Sequence, residues 1–445
     1  LPPGQWVIFS LFQDEEKRVC PMNENFLAFI WKYRLYDPPL FTVDGQKIEV
    51  LSPGTENHDS GPDFFNARIR LDDMIWVGNV EIHNVASDWY IHRHQFDPAF
   101  NNTVLHVVYT GDQPVATSVG YTVPQVELRN YVARAPAETY RRMMEALRWI
   151  PCEHLLDSVS TIKIEKMLER CLLERLEEKM HYVSDVLSRW NGAWMQTLFI
   201  MLAKAFGSTV NATAFELLAQ ATPVSLILKN ADHLQTLEAL LFGQAGMLSS
   251  QFRDPYPQAL FYEYQYLKHK YDLHTLPYSC WKFMRIRPSG FPTVRIAQMA
   301  AFFNRNCHRL SAFLHAPDET LLFDAFNLQA SEYWTSHLKF DVASTPVLKK
   351  TGPDTVQSII INSVIPVAFA YLQHANPAKL SKIPDLLYRM PPEKNKIIRK
   401  WNAIAPAVTS AGHSQAVLQL KSSYCDEKRC LDCMIGYALL TQQRV

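Results

Sequence analysis

The chain has no net charge to advertise a partner: among its 445 residues, 44 Lys and Arg stand against 44 Asp and Glu. Any surface for a polyanion must therefore be a local groove rather than a bulk property. The chain also lacks an apolar run of the roughly 20 residues that cross a bilayer. The longest runs, 194–206 and 359–371, fall short, and Pro366 interrupts the second. Both read as buried core helices, and no membrane partner is expected. Cysteine is scarce, with eight residues of which five are scattered singly. That usage argues against a disulfide framework and points to a reducing cytoplasm. Residues 1–21 lack the basic, then apolar, then small order of a secretory signal. They read as a doubtful leader, with Met22 as the expected start.

What is present is an ordinary globular balance, 48% hydrophobic and 20% charged, sufficient for two or three domains. Phe26, Phe29, Ile30 and Tyr33 recur at helical spacing. The period then changes to two. Segments 48–51, 67–71, 75–77, 79–83 and 103–109 are short, alternating or β-branched, and separated by Gly, Pro, Asn and Asp. Residues 22–135 therefore read as a helix followed by a β-rich α/β domain with a mixed sheet. From Ala137 helical periodicity returns: Leu168, Leu172, Leu176, Met180, Val183 and Leu187 form one face of a long amphipathic helix. Further helical stretches follow without a fixed-period repeat, which disfavours a solenoid. The expected class is α+β, with residues 136–445 a mainly helical domain carrying a cysteine-containing tail.

The stretch most suggestive of chemistry is 61–83, GPDFFNARIRLDDMIWVGNVEIH. Asp63 follows a Gly-Pro turn, and Glu81 and His83, two apart on a strand, face one side. Two carboxylates on neighbouring strands suit a hard divalent cation, Mg2+ or Mn2+, that activates water against a phosphodiester. His83, with an ordinary pKa of about 6.5, would orient or deprotonate that water. A plainer reading has Asp63 capping the turn and Glu81 on a solvated strand face.

This layout resembles the PD-(D/E)xK nuclease superfamily, whose core begins with a helix, carries an Asp on one strand and a Glu-x-Lys pair on the next. The resemblance implies Asp63 and Glu81 as metal ligands, with Glu49 or Glu56 as an additional upstream acid. His83 departs from the pattern, standing where that superfamily has Lys. The phrases FIWKYRLYD, SGPDFFNARI, GNVEIH, SDWYIHRHQFDPAFNNTVLHVVY, LEALLFGQAG, RPSGFPTVRIAQMA and YCDEKRCLDCMIG resemble an uncharacterised bacterial family, domain of unknown function 2851, over almost the whole chain from Met22.

Three further constellations stand out. Five of the fifteen histidines, His58, His83, His92, His94 and His106, fall within 49 residues. The His92-x-His94 pair is spaced to ligate zinc, with Asp88 and Asp97 nearby, or to line the same cleft and contact phosphate. Lys282, Arg285, Arg287 and Arg295, interleaved with Trp281, Phe283 and Phe291, form a candidate nucleic-acid surface, or else pair with acids while the aromatics serve the core. Cys425, Cys430 and Cys433 are spaced for zinc or an iron–sulfur cluster, with Cys152 or His413 as the fourth ligand. Some PD-(D/E)xK nucleases staple their fold with a cluster of one distant and three C-terminal cysteines, although there the distant one precedes the core. Alternatively Cys430 and Cys433 share a buried face of a final helix with Tyr437.

Three functions fit these observations. One is a metal-dependent phosphodiesterase, specifically a DNA nuclease. A second is a non-catalytic nucleic-acid or protein binding factor on a nuclease-like scaffold, favoured by His83 and the large helical domain. A third is a hydrolase of another phosphate or amide substrate using the histidines.

Overall fold

The computed structural model describes residues 23–442, so the leader read at 1–21 and Met22 lie outside the described residues. Asn23 starts the first helix, α1 (Glu24–Tyr33), its side chain accepting the Phe26 backbone N–H, and Arg34 in the left-handed region ends it. Phe26, Leu27, Phe29, Ile30 and Trp31 are buried. Strands follow: β1 (Leu40–Phe41), β2 (Lys47–Ser52), β3 (Thr55–Glu56), β4 (Phe64–Leu71), β5 (Met74–Val85), β6 (Thr103–Thr110) and β7 (Gln125–Glu127). They build one sheet in the order β1-β2-β4-β5-β6-β7, with β3 on β4, and α1 packs against β5. β2, β4 and β5 run antiparallel, whereas β5, β6 and β7 run parallel. The sheet is mixed and the class is α+β.

β5 and β6 determine where chemistry can sit. Val80 and Ile82 pair with Leu105 and Val107 and are buried on one face, so Glu81 and His83 take the other, where Glu81 pairs with His106. A parallel pair requires a crossover, here α2 (Asp88–Ile91) and two 3-10 turns, His94–Phe96 and Pro98–Phe100. Trp89 and Phe100 from this crossover pack with Ala86, Val108, Val115 and Val123 in a small apolar core. That core anchors the segment carrying His92 and His94.

Gly78, read from sequence as a break between two strands, instead lies inside the continuous β5. A Cβ there would stand 2.5 Å from the Asn102 carbonyl oxygen and collide with the Val104 side chain. Glycine at this position admits a close backbone approach rather than a turn.

The chain forms two compact units, the first holding residues up to Met167 and those from Lys421 onward, the second Leu168–Leu420. The division differs from the expected boundary near 135. Within the first unit α3 (Arg134–Glu145) and the 3-10 turn Glu153–Ser158 pack against the last helix, Met434–Thr441, and Gln442 donates to the Ser158 carbonyl at 2.9 Å. Those contacts keep both 136–167 and the cysteine tail with the sheet. α4 (Thr161–Arg189) carries the chain into the second unit, which is helical apart from the strand pair His337–Lys339 and Val342–Ala343. Its core is aromatic, with Phe199, Phe206, Phe215, Phe242, Phe302 and Trp334 fully buried. The stretch Pro353–Ala375 is long and apolar enough to cross a membrane by composition, yet 78% of its apolar window is buried within the protein.

Replacing Gly78 by Ala is expected to lower stability by about 1–3 kcal/mol, the usual effect of overpacking. A urea titration checks this, and an unchanged midpoint would contradict the close approach described.

Candidate metal centre

Asn57 organises the turn before Asp63. Its side-chain amide donates to the carbonyls of Asp59, Ser60 and Pro62, and its backbone N–H donates to the Asp63 carbonyl. Gly61 at φ +103° supplies the left-handed step. Asp63 thus meets β5 at the start of β4. The Asp63 N–H donates to Glu81 Oε2 at 3.2 Å, and the Ile82 N–H donates to Asp63 Oδ2 at 2.8 Å. These reciprocal bonds hold the two carboxyls side by side. Glu81 is only 5% exposed.

The histidines adjoin this pair. Glu81 Oε1 lies 3.2 Å from His94 Nε2 and 3.5 Å from His83 Nε2. His83, 1% exposed, has its Nδ1 2.9 Å from His106 Nε2 and its Nε2 3.1 Å from His92 Nδ1. One ring nitrogen each from His83, His92 and His94 lie within 4.8 Å of one another. His94 is fixed by stacking on Phe100, centroids 3.8 Å apart, and by the edge of Trp89. His92 is exposed and gives the site an open side.

Electrostatics sharpen the picture. Burial first, then the neighbouring Glu81, pushes Asp63 up to about 7, and burial pushes Glu81 up to about 8. Burial pushes His83 down to about 2 and His106 to about 3, each further lowered by neighbouring imidazoles. His83 is consequently neutral through the working range, which suits a ligand or hydrogen-bond partner. It does not suit the general base expected from an ordinary pKa. Two buried nitrogens, His94 Nε2 and His106 Nδ1, have no well-directed hydrogen bond, although Glu81 Oε1 stands close to the former. Among the described residues, neither Asp63 nor Glu81 pairs with a Lys or Arg. The three imidazoles of His83, His92 and His94, with Glu81 Oε1 close to two of them, have the spacing of a donor set that could hold a metal ion.

A family model described as a protein of unknown function (DUF2851) matches residues 24–396. The chain belongs to that family. No curated protein and no solved structure matches it.

In this DUF2851 protein the other expected residues fall in several places. Glu49 pairs with Arg70, and Glu56, opposite Phe64 on β3, pairs with Lys32. The additional acid at the site is Glu24, in the first turn of α1, which acts electrostatically on Asp63, Glu81 and His94. Its sequence signal was an acidic residue following the Asn23 cap. His106 was visible as a polar interruption in the β-branched run of β6. Asp88 and Asp97 serve the crossover backbone, accepting the Val85 and Ala99 N–H groups, and His58 is exposed beside Glu56.

The basic set is divided. Lys282, Arg285 and Arg287 are exposed in the second unit, whereas Arg295 donates to Gln298 and Thr355 at 3.0 and 3.2 Å and is pushed down to about 10 by burial. Trp281 is core, packed on Phe215 and donating to the Ala245 carbonyl. Only Phe283 and Phe291 remain partly exposed. His413 also lies in the second unit, beside Thr409 and Tyr388. Cys430 and Cys433 do not share a helical face with Tyr437. The helix begins at Met434 after its Cys433 cap, and the Tyr437 ring meets Phe29 and Tyr33.

The shifts give a pH signature in the metal-free protein. Asp63 and Glu81 keep protons when folded that the unfolded chain releases near its ordinary values of 3.8 and 4.5, so their contribution falls as pH rises towards about 8. His83 and His106 act oppositely, since the unfolded chain gains protons below 6.5 that the folded state refuses, so their contribution falls as pH drops towards about 3 and 2. Above pH 6.5 these histidines no longer contribute, and in the second unit Glu238, pushed up to about 7, and Lys179, pushed down to about 7, titrate as well, so the double variant isolates the share of Asp63 and Glu81. Metal-free Tm should fall between about pH 6.5 and 8.5, and the Asp63→Asn/Glu81→Gln double variant should flatten that fall. An equally steep fall in the double variant would refute the carboxyl assignment.

Proposed function

We propose that this protein is a metal-dependent phosphodiesterase acting on DNA. The observation that carries the reading is the pair Asp63 and Glu81, each carboxyl accepting a backbone N–H from the other's segment, with no Lys or Arg paired to either among the described residues. Such a pair favours a divalent cation, because like charges this close disfavour joint ionisation without one. The order of elements supports phosphodiester chemistry. A helix, then Asp63 in the bend that precedes β4, then the Glu81/His83 pair on the antiparallel β5 is the order on which the resemblance to that nuclease core is drawn.

Bound there, Mg2+ or Mn2+ would acidify a water and offset charge on the phosphate. The chain's own residues do the rest. The Ile82 and Asp63 N–H groups fix the carboxylates, Glu24 adds a third acid, and exposed His92 faces incoming substrate. The imidazoles shift the preference towards Mn2+, since nitrogen donors suit Mg2+ poorly.

The cluster of His83, His92 and His94 favours a second reading, a zinc-type hydrolase acting on another phosphate or amide substrate at the same site. Metal analysis of the wild type against a His92→Ala/His94→Ala variant separates the two, because zinc held by the histidines would be lost from the variant whereas Mg2+ would copurify with neither.

The test is cleavage of single- and double-stranded DNA by purified protein with Mn2+ or Mg2+. Asp63→Asn and Glu81→Gln should each lower the rate by about 100-fold or more, beyond the usual effect of an outer-shell change. Undiminished cleavage in both variants would sink the reading. Salt-dependent DNA binding without metal-dependent cleavage would shift the assignment to the binding factor.

A further inference from the structure

The chain leaves the first unit after Met167 and returns to it at Lys421. Four cysteines mark the place of return. Cys152 precedes the 3-10 turn Glu153–Ser158, and its carbonyl accepts the Leu155 N–H at 2.9 Å. Cys425 ends the π-helical turn Lys421–Cys425, whose Asp426 N–H donates to the Lys421 carbonyl. Lys428 then adopts a left-handed conformation at φ +52°, and the Cys430 N–H donates to its carbonyl at 2.8 Å. Cys433 caps the last helix, its carbonyl accepting the Tyr437 N–H at 2.8 Å.

Two packing features bring these segments together. The first turn of the last helix lies on the Cys430 backbone, where only Gly436 is tolerated, because a Cβ there would collide with the Cys430 carbonyl oxygen. The same helix packs on α3 and on the turn that begins at Cys152, and Lys428 donates to the Met144 carbonyl. As a result every pair among the four thiols interacts electrostatically: Cys425 with Cys152, Cys430 and Cys433; Cys152 with Cys430 and Cys433; and Cys430 with Cys433. Cys152, Cys430 and Cys433 are 7%, 7% and 8% exposed, Cys425 is half-buried, and none forms a disulfide.

We propose that Cys152, Cys425, Cys430 and Cys433 form a tetrathiolate site for a thiophilic metal centre, a zinc ion or an iron–sulfur cluster. Thiol sulfur is a weak hydrogen-bonding group, so apolar packing alone gives no reason for four such groups from two distant segments to converge. Soft metals prefer this donor set, and closing it fixes the returning chain to the first unit. Lys421 and Lys428 act on Cys425 and Cys430, offsetting part of the negative charge of a thiolate-bound centre. The site uses none of the residues of the hydrolase reading and stands or falls separately from it.

The test is elemental analysis of the full chain purified without oxygen. The expected result is about one zinc per chain, or about four irons with matching labile sulfide, in which case the protein is coloured and bleached by a reductant. Cys152→Ser and Cys430→Ser should each lose most of this metal, while Cys280→Ser, in the second unit, keeps it. If the variants do not fold, thiol counting on the native protein still decides. About four further thiols should become reactive once a chelator removes the metal. Absence of zinc and iron from the anaerobic protein, with none taken up on reconstitution, would overturn the proposal, as would full metal retention in Cys152→Ser.

Discussion

The first unit turns on one constraint: a buried carboxyl on β5, Glu81, and a half-buried one at the start of β4, Asp63, each accept a backbone N–H from the other's segment. Asp63 and Glu81 exchange hydrogen bonds with each other's strand, so neither can swing to solvent without breaking the junction of β4 and β5. Burial of an unpaired charge is expensive, and the surroundings respond as electrostatics requires, with both carboxyls pushed up and the facing imidazoles pushed down. The arrangement is stable as a set of neutral groups. The proposed cation would exchange with the carboxyl protons and leave the nitrogens neutral. The rest of the unit serves this point: α1 brings Glu24, the parallel step to β6 brings His106, and the crossover over the Trp89 core brings His92 and His94.

Much of this was legible along the chain. The switch from period 3.6 to period 2 and back located the helix, the sheet and the helical remainder, because each period reports which face is buried. The i, i+2 relation of Glu81 and His83 placed both on one face before any fold was known. What could not be read depended on contacts between distant segments. Glu24 looks like ordinary helix capping until α1 lies against β5. Gly78 looks like a break until the Asn102 carbonyl approaches it. Arg295 looks like part of a basic surface until Gln298 and Thr355 take its guanidinium. That Cys152 lies in the same unit as the C-terminal cysteines emerges only once the last helix docks on the 3-10 turn that follows Cys152. For His83 the face was legible but the surroundings were not, since burial and neighbouring imidazoles push its pKa well below the ordinary value.

The second unit offers a different lesson. Its aromatic core and long apolar stretches satisfy a compositional test for membrane crossing, yet burial accounts for them. Its exposed cations at Lys282, Arg285 and Arg287 leave nucleic-acid contact as a property to be measured there, apart from the chemistry of the first unit. A chain without net charge can still concentrate charge locally, and here Lys282, Arg285 and Arg287 do so beside Phe283 and Phe291 in the second unit.

The central claim is that the Asp63, Glu81 and histidine set binds a divalent cation by exchanging protons for metal. Calorimetric titration of Mn2+ into metal-stripped protein at pH 7, in two buffers of different ionisation enthalpy, tests it most directly. With Asp63 at about 7 and Glu81 at about 8, binding should release more than one proton per chain, and Asp63→Asn/Glu81→Gln should abolish both heat and release. Failure to bind Mn2+, or binding that releases no protons and survives the double substitution, would contradict the account.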